Sequence, residues 1–273
     1  MDLKRLGISG MTTKNWSLEE DMKGLVANGI SNIGLWLFKC GQHSPQAVRQ
    51  LMLENNLHVS NVCFGGVFTG EDEEARRSAI EETKKAIDFT KEVQGDCLLL
   101  ISGPLGNHSF DKAVEYVRRG LLEVCDYAEK RQVHLALEPI HPMYVTDFSI
   151  IHTLDFALQL VNEIGSAQLG LFLDTFNIGW DPSIQHVIPK CKGKIKGVHL
   201  ADWRNPTRSL SDRALPGQGV FPVREIIGKI EQAGYTGPYD LEIFSDELWA
   251  SDYNRMLIEI KEWFAAVEVE EMI

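Results

Sequence analysis

Four side chains that can bind a divalent cation stand where four successive strand-like runs end: Glu138, Asp174, His199 and Glu242. The runs read HLALEPIHP, QLGLFLDTFN, IKGVHLADWR and YDLEIFSDE. A buried carboxylate is unfavourable unless it is paired or bound to a metal, although any one of the four alone could be a paired carboxylate or a cap. Three carboxylates and one imidazole suit Mn²⁺, Mg²⁺, Co²⁺ or Zn²⁺. Together they predict a site for one divalent metal ion at one end of a barrel.

Eight short runs rich in Leu, Ile and Val are the predicted strands, and this composition is typical of strands that are buried on both faces. They cover Arg5–Ser9, Asn32–Leu37, His58–Phe64, Asp96–Ser102, Val133–Glu138, Gln168–Asp174, Ile195–Ala201 and Tyr239–Phe244. The four candidate ligands belong to the last four of these strands.

Amphipathic segments with helix signals separate the strands. Ser17 precedes two glutamates as an N-cap does, and Pro45 stands in the first turn after Ser44. The other helices are predicted over Glu73–Val93, Asp111–Lys130, Ser149–Ile164, a short segment from Asp181, Pro222–Ala233 and Tyr253–Val267.

This alternation predicts an α/β fold, a single (β/α)8 TIM barrel that spans residues 1–273 as one domain. An open doubly wound sheet is disfavoured because it would spread the candidate ligands along an edge. A closed barrel instead brings the ends of strands five to eight around one pore.

Composition excludes several classes of protein. The formal net charge of −12 argues against a nucleic-acid partner, which requires a basic surface. The chain has no apolar run of the roughly 18 residues that a membrane helix needs, and its first residues, MDLKRLGISG, lack a signal-peptide core. Five cysteines without a CxxC motif favour reduced, buried thiols. We therefore expect a cytoplasmic protein with no membrane partner.

The motifs around the four candidate ligands resemble those of the xylose isomerase-like TIM-barrel superfamily: LEPIHPMY, LDTFN followed by WDP, VHLADW and LEIFSDE. Over essentially the whole chain, the similarity is closest to the sugar phosphate isomerase/epimerase group, with its inosose isomerases and dehydratases, ketose 3-epimerases and hydroxypyruvate isomerases. The resemblance implies that Glu138, Asp174, His199 and Glu242 hold one divalent metal ion. It also implies that the two glutamates form the acid/base pair.

The reaction implied by the resemblance is isomerisation or epimerisation of a small keto sugar, cyclitol ketone or hydroxy-ketone through an enediolate. Loss of a β-hydroxyl from the same intermediate would instead make the protein a lyase of the inosose or 3-dehydroshikimate dehydratase type. An apurinic-site endonuclease is disfavoured, because that relative needs more histidines at its strand ends.

Further residues are candidate substrate contacts. Asn177 stands where ketose 3-epimerases often carry a histidine, and an amide can hydrogen-bond a hydroxyl but cannot titrate near neutral pH. His141 either binds the substrate or a ligand, or is held by its own loop. Trp36 either packs against a sugar face or belongs to the core at the barrel mouth. Lys39 follows the same strand as Trp36 and is predicted to bind substrate.

The loop after the seventh strand holds the arginines that could bind an oxygen or phosphate of the substrate. Arg204 is the first candidate, and the alternative is an ion pair with Asp202 or Asp212. Arg208 and Arg213 are weaker candidates in the same loop.

The apolar C-terminal stretch is a candidate contact surface for a second subunit. The apolar C-terminal residues Trp263, Phe264, Val267 and Ile273 either pack on the barrel or contact another copy, so a homodimer is one expectation.

Overall fold

A closed parallel barrel organises the chain. The computed structural model describes residues 1–41 and 43–268. Its strands are β1 (Leu6–Ser9), β2 (Asn32–Trp36), β3 (His58–Gly66), β4 (Leu98–Ile101), β5 (Leu135–Leu137), β6 (Leu169–Asp174), β7 (Ile195–Leu200), β8 (Asp202–Trp203), β9 (Arg213–Ala214) and β10 (Tyr239–Leu241). Strands β1 to β7 pair in order, and β10 closes the ring between β7 and β1. The predicted (β/α)8 TIM barrel is confirmed.

Helices connect the strands on the outside of the barrel. They are α1 (Leu18–Ala27), α2 (Leu37–Cys40), α3 (Pro45–Glu54), α4 (Glu73–Val93), α5 (Phe110–Arg131), α6 (Leu154–Ile164), α7 (Thr175–Ile178), α8 (Ile184–Val187), α9 (Val223–Gln232), α10 (Asp246–Trp249) and α11 (Tyr253–Ala265). Short 3-10 helices cover Leu3–Arg5, Pro142–Tyr144 and Ile188–Cys191. Ser17 caps α1 through a capping box with Glu20. Within the described residues, no helix combines the length and apolarity needed to span a bilayer.

The core fills the barrel and the layer between strands and helices. The leucines of β4 and β5 are almost completely buried, as strands covered on both faces require. All five cysteines are buried and unpaired, in agreement with the expectation of reduced thiols.

Two helix starts differ from the sequence prediction. The helix expected over Ser149–Ile164 begins at Leu154, because Ser149 forms a bridge with Gly103 and the hydroxyl of Thr153 accepts a hydrogen bond from the backbone N–H of Phe156 as the N-cap. The helix expected from Asp181 begins at Ile184. A separate short helix, α7, directly follows β6.

The long loop after β7 folds back over the barrel mouth. Its first part, from Asp202 to Ala214, is closed by the antiparallel pair β8 and β9. The carboxylate of Asp202 accepts hydrogen bonds from the backbone N–H groups of Gly217, Gly219 and Phe221, which fixes the return of the loop. This arrangement turns Arg213 of β9 inward.

The C-terminal apolar stretch packs on its own barrel. Phe264 and Val267 are buried within the chain, and Trp263 is partly buried against the core. Ile273 lies outside the described residues. The homodimer stays a prediction.

Candidate metal centre and active site

The four predicted ligands meet at the carboxyl-terminal end of the barrel. Asp174, the last residue of β6, pairs in register with His199 of β7. Glu138 and Glu242 directly follow β5 and β10, and their backbone N–H groups donate to the carbonyls of the neighbouring strands β4 and β7. All four side chains are buried. One ligand atom each from Glu138, Asp174 and His199 lie within 4.8 Å of one another. Nδ1 of His199 lies 3.2 Å from Oε2 of Glu242.

The imidazole of His199 fits a metal ligand. Its ring is fully buried and packs against Phe172, with ring centroids 4.4 Å apart. Among the described residues, Nε2 has no hydrogen-bond partner, and Nδ1 has only the Glu242 contact. A buried nitrogen without a partner is unfavourable, and a cation beside three carboxylates would remove that penalty. The donor set of one imidazole and three carboxylates therefore fits one divalent cation.

Arg213 is the guanidinium that enters the site. Its Nη1 donates to Oδ2 of Asp174 at 2.9 Å and to the backbone carbonyl of Glu242 at 3.0 Å, and it lies 3.3 Å from Oε2 of Glu242. The guanidinium carbon lies 4.4 Å from the ring centroid of Phe176 and 4.5 Å from that of Phe244. Sequence reasoning ranked this residue below Arg204. The apolar residues Ala214 and Leu215, which follow Arg213 directly, were the sequence signal that this part of the loop is buried.

Arg204 lies outside this cluster. Its Nε is 3.0 Å from Oδ1 of Asp212, so the structure contains the ion pair that was the alternative to substrate binding. Arg208 joins the same network by binding Asp212 and Glu247. Both arginines of this outer loop are thus neutralised by carboxylates.

Asn177 and Trp36 do reach the site. The amide nitrogen of Asn177 donates to Oε1 of Glu138 at 2.9 Å and to Oδ2 of Asp174 at 3.1 Å. The indole nitrogen of Trp36 donates to the hydroxyl of Ser9 at 2.9 Å, and that hydroxyl donates to Oε1 of Glu242 at 3.2 Å. Sequence reasoning missed Ser9, whose position at the end of β1 was the available signal.

Lys39 and His141 both contact other groups of the protein. The ammonium of Lys39 is buried, 2.5 Å from Oδ2 of Asp21, and donates to the carbonyls of Gly10 and Thr13. Nδ1 of His141 accepts the backbone N–H of Met143. This contact corresponds to the second alternative for His141, in which its own loop holds the ring.

Burial and mutual repulsion shift the pKa values of the cluster. Burial, followed by the charges of Asp174 and Glu242, raises the pKa of Glu138 to about 8. Burial also raises the pKa of Asp174, although Arg213 opposes it. Burial opposes the charged form of both His199 and Glu242, but their mutual attraction outweighs it: the pKa of His199 rises to about 9 and that of Glu242 falls. A cation bound among these carboxylates would favour their ionised forms and lower their pKa values.

A cavity of about 550 Å³ opens above this cluster. Glu138, Asn177, Arg213 and Glu242 form its polar floor. Its remaining walls are mostly apolar and aromatic: Met11, Trp36, Phe64, Leu99, Ile101, Ile140, Tyr144, Phe148, Leu210, Phe244 and Trp249. A concave apolar pocket with a few converging polar groups is the usual form of a small-molecule site.

Comparison with known proteins agrees with this architecture. The sequence profile of the xylose isomerase-like TIM barrel family matches residues 24–266. The chain belongs to this family. The resemblance inferred from the strand-end motifs is thereby confirmed.

Individual relatives match most of the chain in sequence or in structure. L-ribulose-5-phosphate 3-epimerase UlaE of Shigella boydii is 25% identical over 228 residues, which cover 81% of this chain and 76% of UlaE. The crystal structure of protein SMc04130 from Sinorhizobium meliloti superposes with a TM-score of 0.94 at 29% identity, covering 98% of this chain and 100% of that one. The IolI protein, whose structure holds a zinc atom, superposes with a TM-score of 0.85 at 20% identity, covering 96% of this chain and 97% of that one.

Proposed function

We propose that this protein is a divalent-metal-dependent isomerase or epimerase of a small keto sugar, cyclitol ketone or related hydroxy-ketone. The observation that carries the proposal is the convergence of Glu138, Asp174, His199 and Glu242 under one cavity. Similarity to an L-ribulose-5-phosphate 3-epimerase over 81% of the chain supports the same class of reaction. A cytoplasmic location and one domain over residues 1–273 remain predictions.

Glu138, Asp174, His199 and Glu242 would hold one divalent cation, with Mn²⁺, Mg²⁺, Co²⁺ and Zn²⁺ as the candidates. A carboxylate offers about four lone-pair sites, so Asp174 and Glu242 can serve a cation while they accept hydrogen bonds from Arg213. When bound, the cation supplies Lewis-acid polarisation of a substrate carbonyl.

Glu138 is suited to take the proton from the carbon beside that carbonyl. The described hydrogen bond to its carboxylate, from Asn177, reaches Oε1, so Oε2 is available for proton transfer. Burial raises the pKa of Glu138 to about 8 in the metal-free site, where the group is largely protonated at neutral pH. Coordination to a cation would lower this pKa and favour the carboxylate that takes the proton. Asn177 orients the carboxylate.

In the proposed pair, Glu242 delivers the second proton, which it must first take from solvent because its pKa is lowered, and Ser9 orients it through Oε1. Return to the opposite face of the same carbon gives epimerisation. Return to the neighbouring carbon gives isomerisation.

Arg213 and Asn177 are the proposed substrate contacts on the cavity floor. Arg213 lines the cavity floor beside Glu138 and Glu242, which places its guanidinium next to the substrate. Trp36 forms part of the wall and can pack against the ring of a small sugar. His141, Arg204 and Lys39, which were expected to bind substrate, are engaged elsewhere by the contacts described above.

Solvent deuterium exchange tests this proposal. The purified enzyme, loaded with each cation, is incubated in D₂O with a panel of ketopentoses, ketohexoses and inososes, and exchange of the C–H next to the carbonyl is followed by NMR. We expect Glu138→Gln and Glu242→Gln each to slow exchange by at least about 100-fold, whereas Glu259→Gln, on the surface, should not. Full activity of both variants would contradict the proposed roles. Ultraviolet absorbance of an α,β-unsaturated ketone would instead identify the lyase.

A further inference from the structure

The cavity wall beyond the polar floor is more apolar than a bare sugar requires. On one side, Trp36 contacts Phe64 and Phe244 edge-to-face, and Phe244 contacts Trp249 in the same way, with centroids about 6 Å apart. On another side, Phe148 and Leu210 line the cavity although 46% and 58% of their surfaces are exposed. Large apolar side chains left in water beside a binding cavity indicate that a ligand covers them.

Phe148 and Leu210 belong to two different loops that contacts of Tyr144 hold together. The hydroxyl of Tyr144 donates to the backbone carbonyl of Leu210 at 3.0 Å. The ring of Tyr144 packs edge-to-face on Phe148, with centroids 5.4 Å apart. Tyr144 therefore ties the loop after β5 to the loop after β7, and both apolar side chains stand over the same cavity.

The charges around the cavity disfavour an anionic substituent. Among the described residues that line it, the cations are Arg213, whose Nη1 is held by Asp174 and Glu242, and the exposed Lys14, whose ammonium lies 4.1 Å from the ring centroid of Trp249. Asp246 lines the same cavity and would repel a phosphate. The arginines of the outer loop are paired with Asp212, as described above.

We propose that the substrate is an uncharged keto sugar or cyclitol ketone that carries an apolar substituent, aryl or alkyl, and that this substituent binds against Phe148 and Leu210. This inference rests on the proposed function, because the polar floor must hold the reacting carbons. The cavity volume of about 550 Å³ lies within the range of sites for drug-sized ligands, and leaves room beyond a single sugar ring.

Matched probes test the inference. 5-O-methyl-L-ribulose, 5-O-benzyl-L-ribulose and L-ribulose 5-phosphate are all open-chain ketoses blocked at O5, and they carry a small, a large apolar or an anionic substituent there. Binding is measured by quenching of tryptophan fluorescence, since Trp36 and Trp249 line the cavity, and turnover by deuterium exchange. We expect the benzyl ether to bind about 10- to 100-fold more tightly than the other two, because a buried phenyl group removes a large apolar area from water. In Phe148→Ser and Leu210→Ser this preference should fall severalfold, and in Leu53→Ser, on the outer surface of α3, it should persist.

Binding and deuterium exchange together distinguish failure of the apolar-substituent proposal from failure of the proposed function. Equal binding of all three probes, or a preference for the phosphate ester, would refute the proposal that the substrate carries an apolar substituent. Deuterium exchange with any ketose would still support the proposed function. A benzyl preference that persists unchanged in both serine variants would also overturn the inference. If none of the sugars in the wider panel exchanges, the proposed function is contradicted. The binding preference for the benzyl ether would still show whether the cavity has an apolar subsite.

Discussion

Replacing Arg213 by methionine tests how the carboxylates of the site are held together. In the wild type, Nη1 of Arg213 lies 2.9 Å from Asp174 and 3.3 Å from Glu242, and all three side chains are buried. Methionine keeps much of the volume but removes the charge. Breaking a buried ion pair from one side costs about 3–5 kcal/mol, because the partner charges stay buried without compensation. For a chain of this size, that loss corresponds to a fall in Tm of roughly 6–20 °C.

The assay is thermal unfolding of the metal-free protein, followed by circular dichroism, with and without a divalent cation. A cation at 100 times its Kd stabilises a protein by about 2.7 kcal/mol. In Arg213→Met the gain should be larger than in the wild type, by on the order of 1–3 kcal/mol, because the cation then compensates more of the carboxylate charge.

Arg255→Met is the matched control, because Arg255 pairs with Glu259 at 3.3 Å but is 81% exposed. Exposed pairs contribute little, so its Tm should equal that of the wild type. The reasoning is refuted if Arg213→Met unfolds at the temperature of this control, or if a cation stabilises the variant no more than the wild type.

Three further substitutions follow from the contacts of the predicted site residues. Lys39→Met should lower the free energy of unfolding by about 3–5 kcal/mol at pH 8, because buried Asp21 loses its cation. Burial raises the pKa of Asp21 to about 6 even beside Lys39, and loss of Lys39 raises it further. Urea titrations should therefore show this deficit shrinking as the pH falls to 5, because the protonated acid needs no cation, and a deficit independent of pH would contradict this. Asn177→Ala should weaken cation binding, measured by calorimetry, by about 10- to 100-fold, because Glu138 loses its orienting amide, and unchanged affinity would exclude that role. His141→Ala should change kcat/KM for exchange by no more than about twofold, and a loss above tenfold would return His141 to the substrate site.

The strand ends were predictable because local sequence dictates them. Each apolar run is long enough to be a buried strand, and the candidate ligand near its carboxyl end, such as Asp174 or His199, emerges at the barrel mouth. The short strands β5 and β10 end one residue before Glu138 and Glu242, which does not alter where those side chains point. The order of the strands then follows from the right-handed βα connection.

The direction of the loop side chains was not predictable, because it depends on contacts between distant segments. Arg213 reaches the site through the β8–β9 pair, and each of these strands has two residues, too few for a sequence pattern. Lys39 turns away from the cavity because Asp21, on the neighbouring helix α1, offers a buried partner. Arg204 precedes Asp212 by eight residues, and that spacing does not distinguish an ion pair from a substrate contact.

Metal content tests the central claim most directly. The purified wild type and a Glu138→Ala/Asp174→Ala double variant, each shown by circular dichroism to be folded, are dialysed against each cation and examined by elemental mass spectrometry. We predict about one Mn, Mg, Co or Zn per wild-type chain and none above background in the variant, since removing two ligands leaves too few donors for a divalent site. A wild-type protein that retains none of these metals, or a variant that binds as much as the wild type, would contradict the metal centre.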